Sequence, residues 1–217
     1  MDRIRKALDL ARQERNRRTD SSAEPRPEPS HASRPIAQPA EPVAASARFP
    51  ITIAYSNTRV FVPDAALLES NRIINPSASD PAATAYRMLR TQVLQRLDEH
   101  SWRSMAVLSP GSDDGKTTTA VNLAVSLAND LHHTVLLVDS DLRRPTIGAA
   151  LGIKPEFGVD DVLRGDARID QCLHHPEGFE RLVVMPARSP LAHSSDTLAG
   201  PQGRALVAEL RDRKSVV

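Results

Sequence analysis

Ser109-Pro110-Gly111-Ser112-Asp113-Asp114-Gly115-Lys116-Thr117-Thr118-Thr119 separates two stretches of different periodicity. Before it, Met105-Ala106-Val107-Leu108 is a short apolar run that reads as a buried strand. After it, Ala120-Val121-Asn122-Leu123-Ala124-Val125-Ser126-Leu127-Ala128 repeats its apolar residues at helical spacing. A strand, a glycine-containing loop ending Gly-Lys-Thr and then a helix form the setting of a phosphate-binding loop. Gly115 lets the backbone approach a polyphosphate closely. The amides at the helix start point at the anion, and the helix dipole favours its charge. Lys116 suits the β- and γ-phosphates, and the Thr117 hydroxyl suits Mg²⁺. Gly111, Ser112, Asp113, Asp114, Gly115 and Thr118 line the same cradle. Pro110 stands where the strict G-x-x-x-x-G-K-[ST] pattern has glycine, so the bland alternative is a glycine-rich turn capping an ordinary helix.

A second motif at a fitting distance argues against the bland alternative. In Thr134-Val135-Leu136-Leu137-Val138-Asp139-Ser140-Asp141-Leu142-Arg143-Arg144-Pro145, four apolar residues predict another buried strand of a parallel sheet. Asp139 and Asp141 follow at its carboxyl end, where open α/β sheets place their ligands. Two acids beside an Mg-nucleotide hold the metal, directly or through water, or accept a proton from an attacking hydroxyl.

Together the two motifs resemble those of the bacterial tyrosine kinases of capsule and exopolysaccharide synthesis, over about residues 66–213. These are P-loop proteins related to the septum-site and plasmid-partitioning ATPases. The resemblance implies an α/β fold, a mostly parallel P-loop sheet with helices on both faces. It implies an ATP- and Mg²⁺-dependent tyrosine autokinase that regulates polymerisation and export of an extracellular polysaccharide. Lys116, Asp139 and Asp141 would then be catalytic, with Asp139 the leading proton acceptor or water-mediated metal contact, Asp141 its support, and Thr117 toward the metal. Arg143 and Arg144 would bind phosphate or the activator, if they are more than surface arginines. The implied activator is the cytoplasmic tail of a membrane-embedded chain-length regulator. The implied location is the cytoplasm, at the inner face of the plasma membrane through that partner. Tyr86-Arg87-Met88-Leu89-Arg90-Thr91 resembles the family's Glu-x-x-Arg-x-x-Arg helix, which joins subunits into a ring. Arg87 and Arg90 match, but Thr84 replaces the glutamate, so homo-oligomerisation through them has lost one charged partner. Family members continue into a further strand ending in an acid and then a tyrosine cluster, whereas this sequence stops at Ser215-Val216-Val217. The expectation is a C-terminally incomplete domain, poorly soluble and weakly active. Two alternatives remain: a partitioning-type ATPase switch, or a non-catalytic regulatory remnant. The switch proteins carry a second lysine five residues before the catalytic one, where Gly111 stands here, which favours the kinase.

Composition sets outer limits. Net charge is +1 and aromatics are 3%, so neither a general pull toward nucleic acid nor a base-stacking surface is expected. The single Cys172 excludes an internal disulfide and reads as a small buried residue. No apolar run approaches the ~18 residues that span a bilayer. Residues 1–18 predict a basic helix with Ile4, Ala7, Leu8 and Ala11 on one face, suited to a partner or a membrane surface. Residues 19–50 hold seven of the 17 prolines and predict a disordered spacer. Residues 51–217 then form the kinase-like domain. Within it, Ile51–Tyr55 and Arg59–Val62 suggest a hairpin, and 65–74 a short helix. Residues 81–98 suggest a helix capped by Asp80, with Ala85, Met88, Leu89, Val93, Leu94 and Leu97 buried. Shorter helices are expected at 146–152, 158–164 and 169–173, a strand at 181–186 and a helix at 201–211. His132-His133 and His174-His175 are not expected to bind metal, because adjacent side chains diverge.

Overall fold

The computed structural model describes residues 58–75 and 80–212. The expectations for residues 1–18, 19–50 and Ile51–Tyr55 therefore lie outside the described residues. Among the described residues four strands form one sheet: β1 Arg59–Phe61, β2 Val135–Val138, β3 His174–Pro176 and β4 Leu182–Met185. Their order across it is β1-β3-β4-β2. The β1–β3 and β2–β4 pairs are parallel, and β3 meets β4 antiparallel.

Strand alternation puts helices on both faces. On one face Val135, Leu137, Leu182 and Val184 pack against Val121, Ala124 and Val125 of α3, Lys116–Ala128. Leu68 of α1 (Ala65–Ser70) and Ile147 and Leu151 of α4 (Ile147–Leu151) complete that layer. On the other face Leu136, Val138, Val183 and Met185 meet Val159 and Leu163 of α5 (Val159–Arg164). Ile169 and Cys172 of a 3₁₀ turn, Ile169–Cys172, also pack there, as do residues of α6 (Ser194–Ala199) and α7 (Pro201–Asp212). Each fully buried aliphatic side chain contributes about 1.5–3 kcal/mol, so these two layers dominate stability.

The helix α3 is buried on all sides from Val121 to Ala128, which explains why that stretch is apolar apart from Asn122 and Ser126. Its one amide, Asn122, is buried and clamps the preceding turn. Its Oδ1 accepts from Ile74 N at 2.8 Å, and its Nδ2 donates to Arg72 O at 2.9 Å. α2, Pro81–His100, starts as expected, with the Asp80 carboxylate accepting from Ala83 N at 2.6 Å. Its inward face is rotated from the expected stripe. Ala83 is buried, whereas Ala85 and Met88 are exposed. One cause is Arg90, which turns inward and donates to Ser126 O at 3.0 Å, tying α2 to α3.

Residues 59–61 pair in parallel with β3; the other half of the expected hairpin, Ile51–Tyr55, lies outside the described residues. One further expectation needs correction. Met105-Ala106-Val107-Leu108 is not a strand, and Leu108 is 86% exposed. A strand needs a neighbour to take its backbone hydrogen bonds. Among the described residues β2 pairs only with β4, and nothing bridges its other edge to residues 105–108.

The histidines hold structural bonds. His133 Nδ1 lies 2.8 Å from Asp130 Oδ1, and His174 Nδ1 donates to Cys172 O at 3.0 Å. Burial, partly offset by that carbonyl, holds the His174 ring below the usual imidazole pKa. The folded state then binds fewer protons here than the unfolded chain. This contribution is complete above about pH 6.5 and is lost as the pH falls through the lower folded value. The melting temperature is therefore expected to drop between pH 7.5 and pH 5.5. His174→Asn, which keeps a donor without the titration, should drop less; parallel pH–Tm curves would contradict the assignment. Burial, with a smaller push from Asp161 and Asp160, drives the Cys172 thiol up to about 12, so it is no nucleophile at neutral pH.

Candidate nucleotide site

The loop between residue 109 and α3 builds a cradle from backbone. Gly115 takes φ +82° at the N-cap of α3, a left-handed conformation that favours glycine. No side chain caps this 13-residue helix, so its first N–H groups are free to meet an anion. Asp113 is also left-handed, at φ +63°. The loop closes on itself where Gly111 N donates to Asp114 Oδ2 at 2.8 Å. A Cβ on Gly111 would lie 3.0 Å from that same oxygen, so a larger residue would disturb the turn.

The carboxyl end of β2 faces this cradle. Lys116 Nζ donates to Asp141 Oδ2 at 2.5 Å, and Thr117 Oγ1 sits 2.7 Å from Thr146 Oγ1. The two motifs, 25 residues apart at that lysine, thus form one site. Asp139 and Asp141 play different parts. Asp139 is 2% exposed, and both its oxygens accept main-chain N–H groups: Asp141 at 3.2 Å, and Thr146 and Ile147 at 3.0 Å. Burial raises its pKa, against the pull of those N–H groups. Asp141 is about one-third exposed. The Lys116 hydrogen bond holds its carboxyl below the usual range, so it is ionised at neutral pH. Asp139 shapes the loop, and Asp141 is the acid that touches the cradle.

Thr117, Asp139 and Asp141 make an oxygen-only donor set of the kind Mg²⁺ takes. Ser112, Asp113 and Asp114 are exposed in the loop, and Thr118 lies on the first turn of α3. Sequence reasoning missed Thr146, the Thr117 partner. Its signal was its place directly after Pro145 and before an apolar helical run. Arg143 and Arg144 are exposed. Arg87 and Arg90 lie on α2, away from this loop in sequence. Arg87 Nη2 bonds Thr84 Oγ1 at 2.7 Å, the residue that stands in for the missing glutamate. Among the described residues no helix is long and apolar enough to cross a membrane.

Residues 105–166 match the family of CobQ/CobB/MinD/ParA nucleotide binding domains. Over 88 residues the chain is 34% identical to the tyrosine-protein kinase YwqD of Bacillus subtilis, covering 41% of this chain and 37% of that one. Over 110 residues it is 37% identical to the chromosome-partitioning ATPase Soj of Thermus thermophilus, covering 51% of this chain and 41% of that one. The chain therefore spans well under half the length of these curated relatives. Among solved structures, the BceF tyrosine kinase domain superposes with TM-score 0.57 at 24% identity, over 75% of this chain and 60% of that one. The kinase domain of the Escherichia coli tyrosine kinase ETK gives TM-score 0.56 at 23% identity, over 75% and 66%. At these identities the two structures speak for the fold. The chain thus has the fold of a P-loop nucleotide-binding domain, its residues 105–166 match the CobQ/CobB/MinD/ParA nucleotide-binding model, and tyrosine-protein kinases are among the relatives it resembles.

Proposed function

We propose that this chain binds Mg-ATP at Lys116 and transfers the γ-phosphoryl group to a tyrosine hydroxyl. The observation that carries the proposal is the Lys116–Asp141 pair, which puts a cation and an ionised acid at one point beside the cradle. A triphosphate competes for Lys116. When the ammonium turns to phosphate, Asp141 loses the partner that lowers its pKa and becomes a stronger base. The tyrosine O–H then gives its proton to Asp141 as its oxygen bonds to phosphorus. The bond to the bridging oxygen breaks, and ADP leaves with that electron pair. The main-chain N–H groups of α3 and Lys116 stabilise the charge on the transferred group. Mg²⁺, when bound, would neutralise phosphate charge, and Thr117 and Asp139 are the residues that would hold it.

As in the kinases it resembles, the role of the reaction would be to regulate polysaccharide polymerisation and export. A membrane-embedded regulator would activate it from the cytoplasmic side, and a homo-oligomer would use Arg87. Arg90 is spent inside the fold on Ser126. A second reading, an ATPase switch, draws on the likeness to Soj. The two differ in where phosphate goes. Incubating the full chain with γ-labelled Mg-ATP and a tyrosine peptide should give acid-stable label on tyrosine. Inorganic phosphate alone would replace the kinase with the switch. Asp141→Asn should lower kcat for tyrosine transfer by about 10²–10⁴-fold while Mg-ATP still binds. Equal kcat would remove Asp141 as the base.

A further inference from the structure

A phosphate cradle does not by itself hold the acceptor, and a second feature is joined to the Asp141 loop. After β4 the chain runs as a strap over residues 186–193. Its near end is fixed on α5. Pro186 O accepts from Val159 N at 2.9 Å, Arg188 N donates to Asp160 Oδ1 at 2.7 Å, and Ser189 Oγ donates to Asp160 Oδ2 at 2.8 Å. The Arg188 guanidinium grips Asp161 at 2.8 and 3.1 Å. Asp160 and Asp161 are both buried. The far end of the strap is fixed on the Asp141 loop, where Leu191 N donates to Leu142 O at 2.8 Å. Gly158 belongs to the same construction, because a Cβ there would come within 2.4 Å of Arg188 N.

Between the strap and the Asp141 loop lies a cavity of about 500 Å³, lined by Arg143, Pro190, Leu191, His193, Ser194 and Asp196 among others. Arg143 stands two residues beyond Asp141. Among the described residues its guanidinium makes no hydrogen bond or ion pair. Pro190 and Leu191 offer an apolar edge, Ser194 a hydroxyl, and Asp196 a carboxylate. The strap, fastened at both ends, presents Pro190 and Leu191 with little ordering cost on binding.

We propose that this cavity seats the tyrosine-bearing acceptor segment and that Arg143 selects a carboxylate close to the tyrosine. The proposal rests on the kinase reading and names its acceptor class: a segment with an acidic residue next to the tyrosine. Arg143 is an exposed cation at the cavity with no partner among the described residues, and its planar guanidinium suits a carboxylate. Asp196 is an anion in the same lining, so one acid is favoured over a polyacidic run.

The test uses the full chain and two fluorescein-labelled peptides, each with one tyrosine, flanked by glutamate in one and glutamine in the other. Anisotropy titration measures binding, and phosphate transfer gives KM and kcat for each. The unmodified chain should prefer the glutamate peptide. Arg143→Ala should raise Kd and KM for that peptide about 10-fold, leave the glutamine peptide unchanged, and remove the preference; Arg143→Lys should restore part of it. Equal loss for both peptides, or no loss, overturns the proposal. So does a weakened Mg-ATP Kd in Arg143→Ala with peptide preference intact, which would make Arg143 a phosphate ligand. Transfer to both peptides without discrimination overturns the seat and leaves the kinase reading standing. Arg143-dependent binding with no transfer upholds the seat and overturns the kinase reading.

Discussion

Lys116→Ala is expected to weaken Mg-ATP binding about 10- to 150-fold, the range of a hydrogen bond between charged partners. Isothermal titration of both proteins with Mg-ATP checks it. The loss has two sources. The ammonium that meets the β- and γ-phosphates is gone. Asp141, from which Lys116 would have been drawn, now faces the nucleotide without a neutralising partner. Stability should change little, because both side chains of the pair keep about 30% exposure and water can solvate what remains. The double variant Lys116→Ala/Asp141→Asn separates the two sources. It should recover part of the lost affinity, since the repulsive carboxylate has been removed. Unchanged affinity in Lys116→Ala would show that the loop from 109 to 119 does not hold a triphosphate.

The cradle was legible in the sequence because its parts are local. A glycine before Lys-Thr and two acids after an apolar run are contiguous signals, and the fold needs only to bring β2 beside α3. The division of labour between the acids was not legible. By sequence Asp139 is the leading acid and Asp141 its support, and only the N–H groups of Thr146 and Ile147 show that Asp139 organises the loop while Asp141 meets Lys116. The sheet was legible where residues are apolar on both faces, as at 135–138 and 182–185. It was misread at 105–108, which has the composition of a buried strand, because composition cannot supply the pairing neighbour. β3 was missed for the opposite reason. His174-His175-Pro176 has no strand signature, and its place comes from lying between β1 and β4. The α2 stripe was displaced in part because Arg90, expected at a subunit contact, finds a carbonyl on α3.

The acids of α5 carry the other large effect. Asp161→Ala is expected to lower stability by about 3 kcal/mol, the low end for breaking a buried ion pair. In a chain of this size that is roughly 6–12 °C in Tm. The Asp161 carboxylate is 2% exposed and accepts from Gly158 N at 2.8 Å and from the Arg164 and Arg188 guanidiniums at 2.8 Å. Both arginines are partly exposed and can turn to water, which is why the higher estimates do not apply. The buried Gly158 N–H has no such escape. Asp161→Asn keeps an acceptor for it and should recover part of the loss. Burial pushes the Asp161 pKa up, but the Gly158 N–H and the two guanidiniums outweigh it and leave the value lowered. The folded state therefore binds fewer protons here than the unfolded chain. The contribution is complete above about pH 4 and disappears as the pH falls through the lower folded value. The Tm gap between Asp161→Ala and the unmodified chain should hold constant from pH 8 to pH 5 and narrow below about pH 4. A gap that widened in acid would mean that the carboxylate is not the group stabilised. Since Arg188 begins the strap, the same variant should also weaken the glutamate peptide without changing Mg-ATP affinity, linking the buried network to the acceptor seat and not to the cradle.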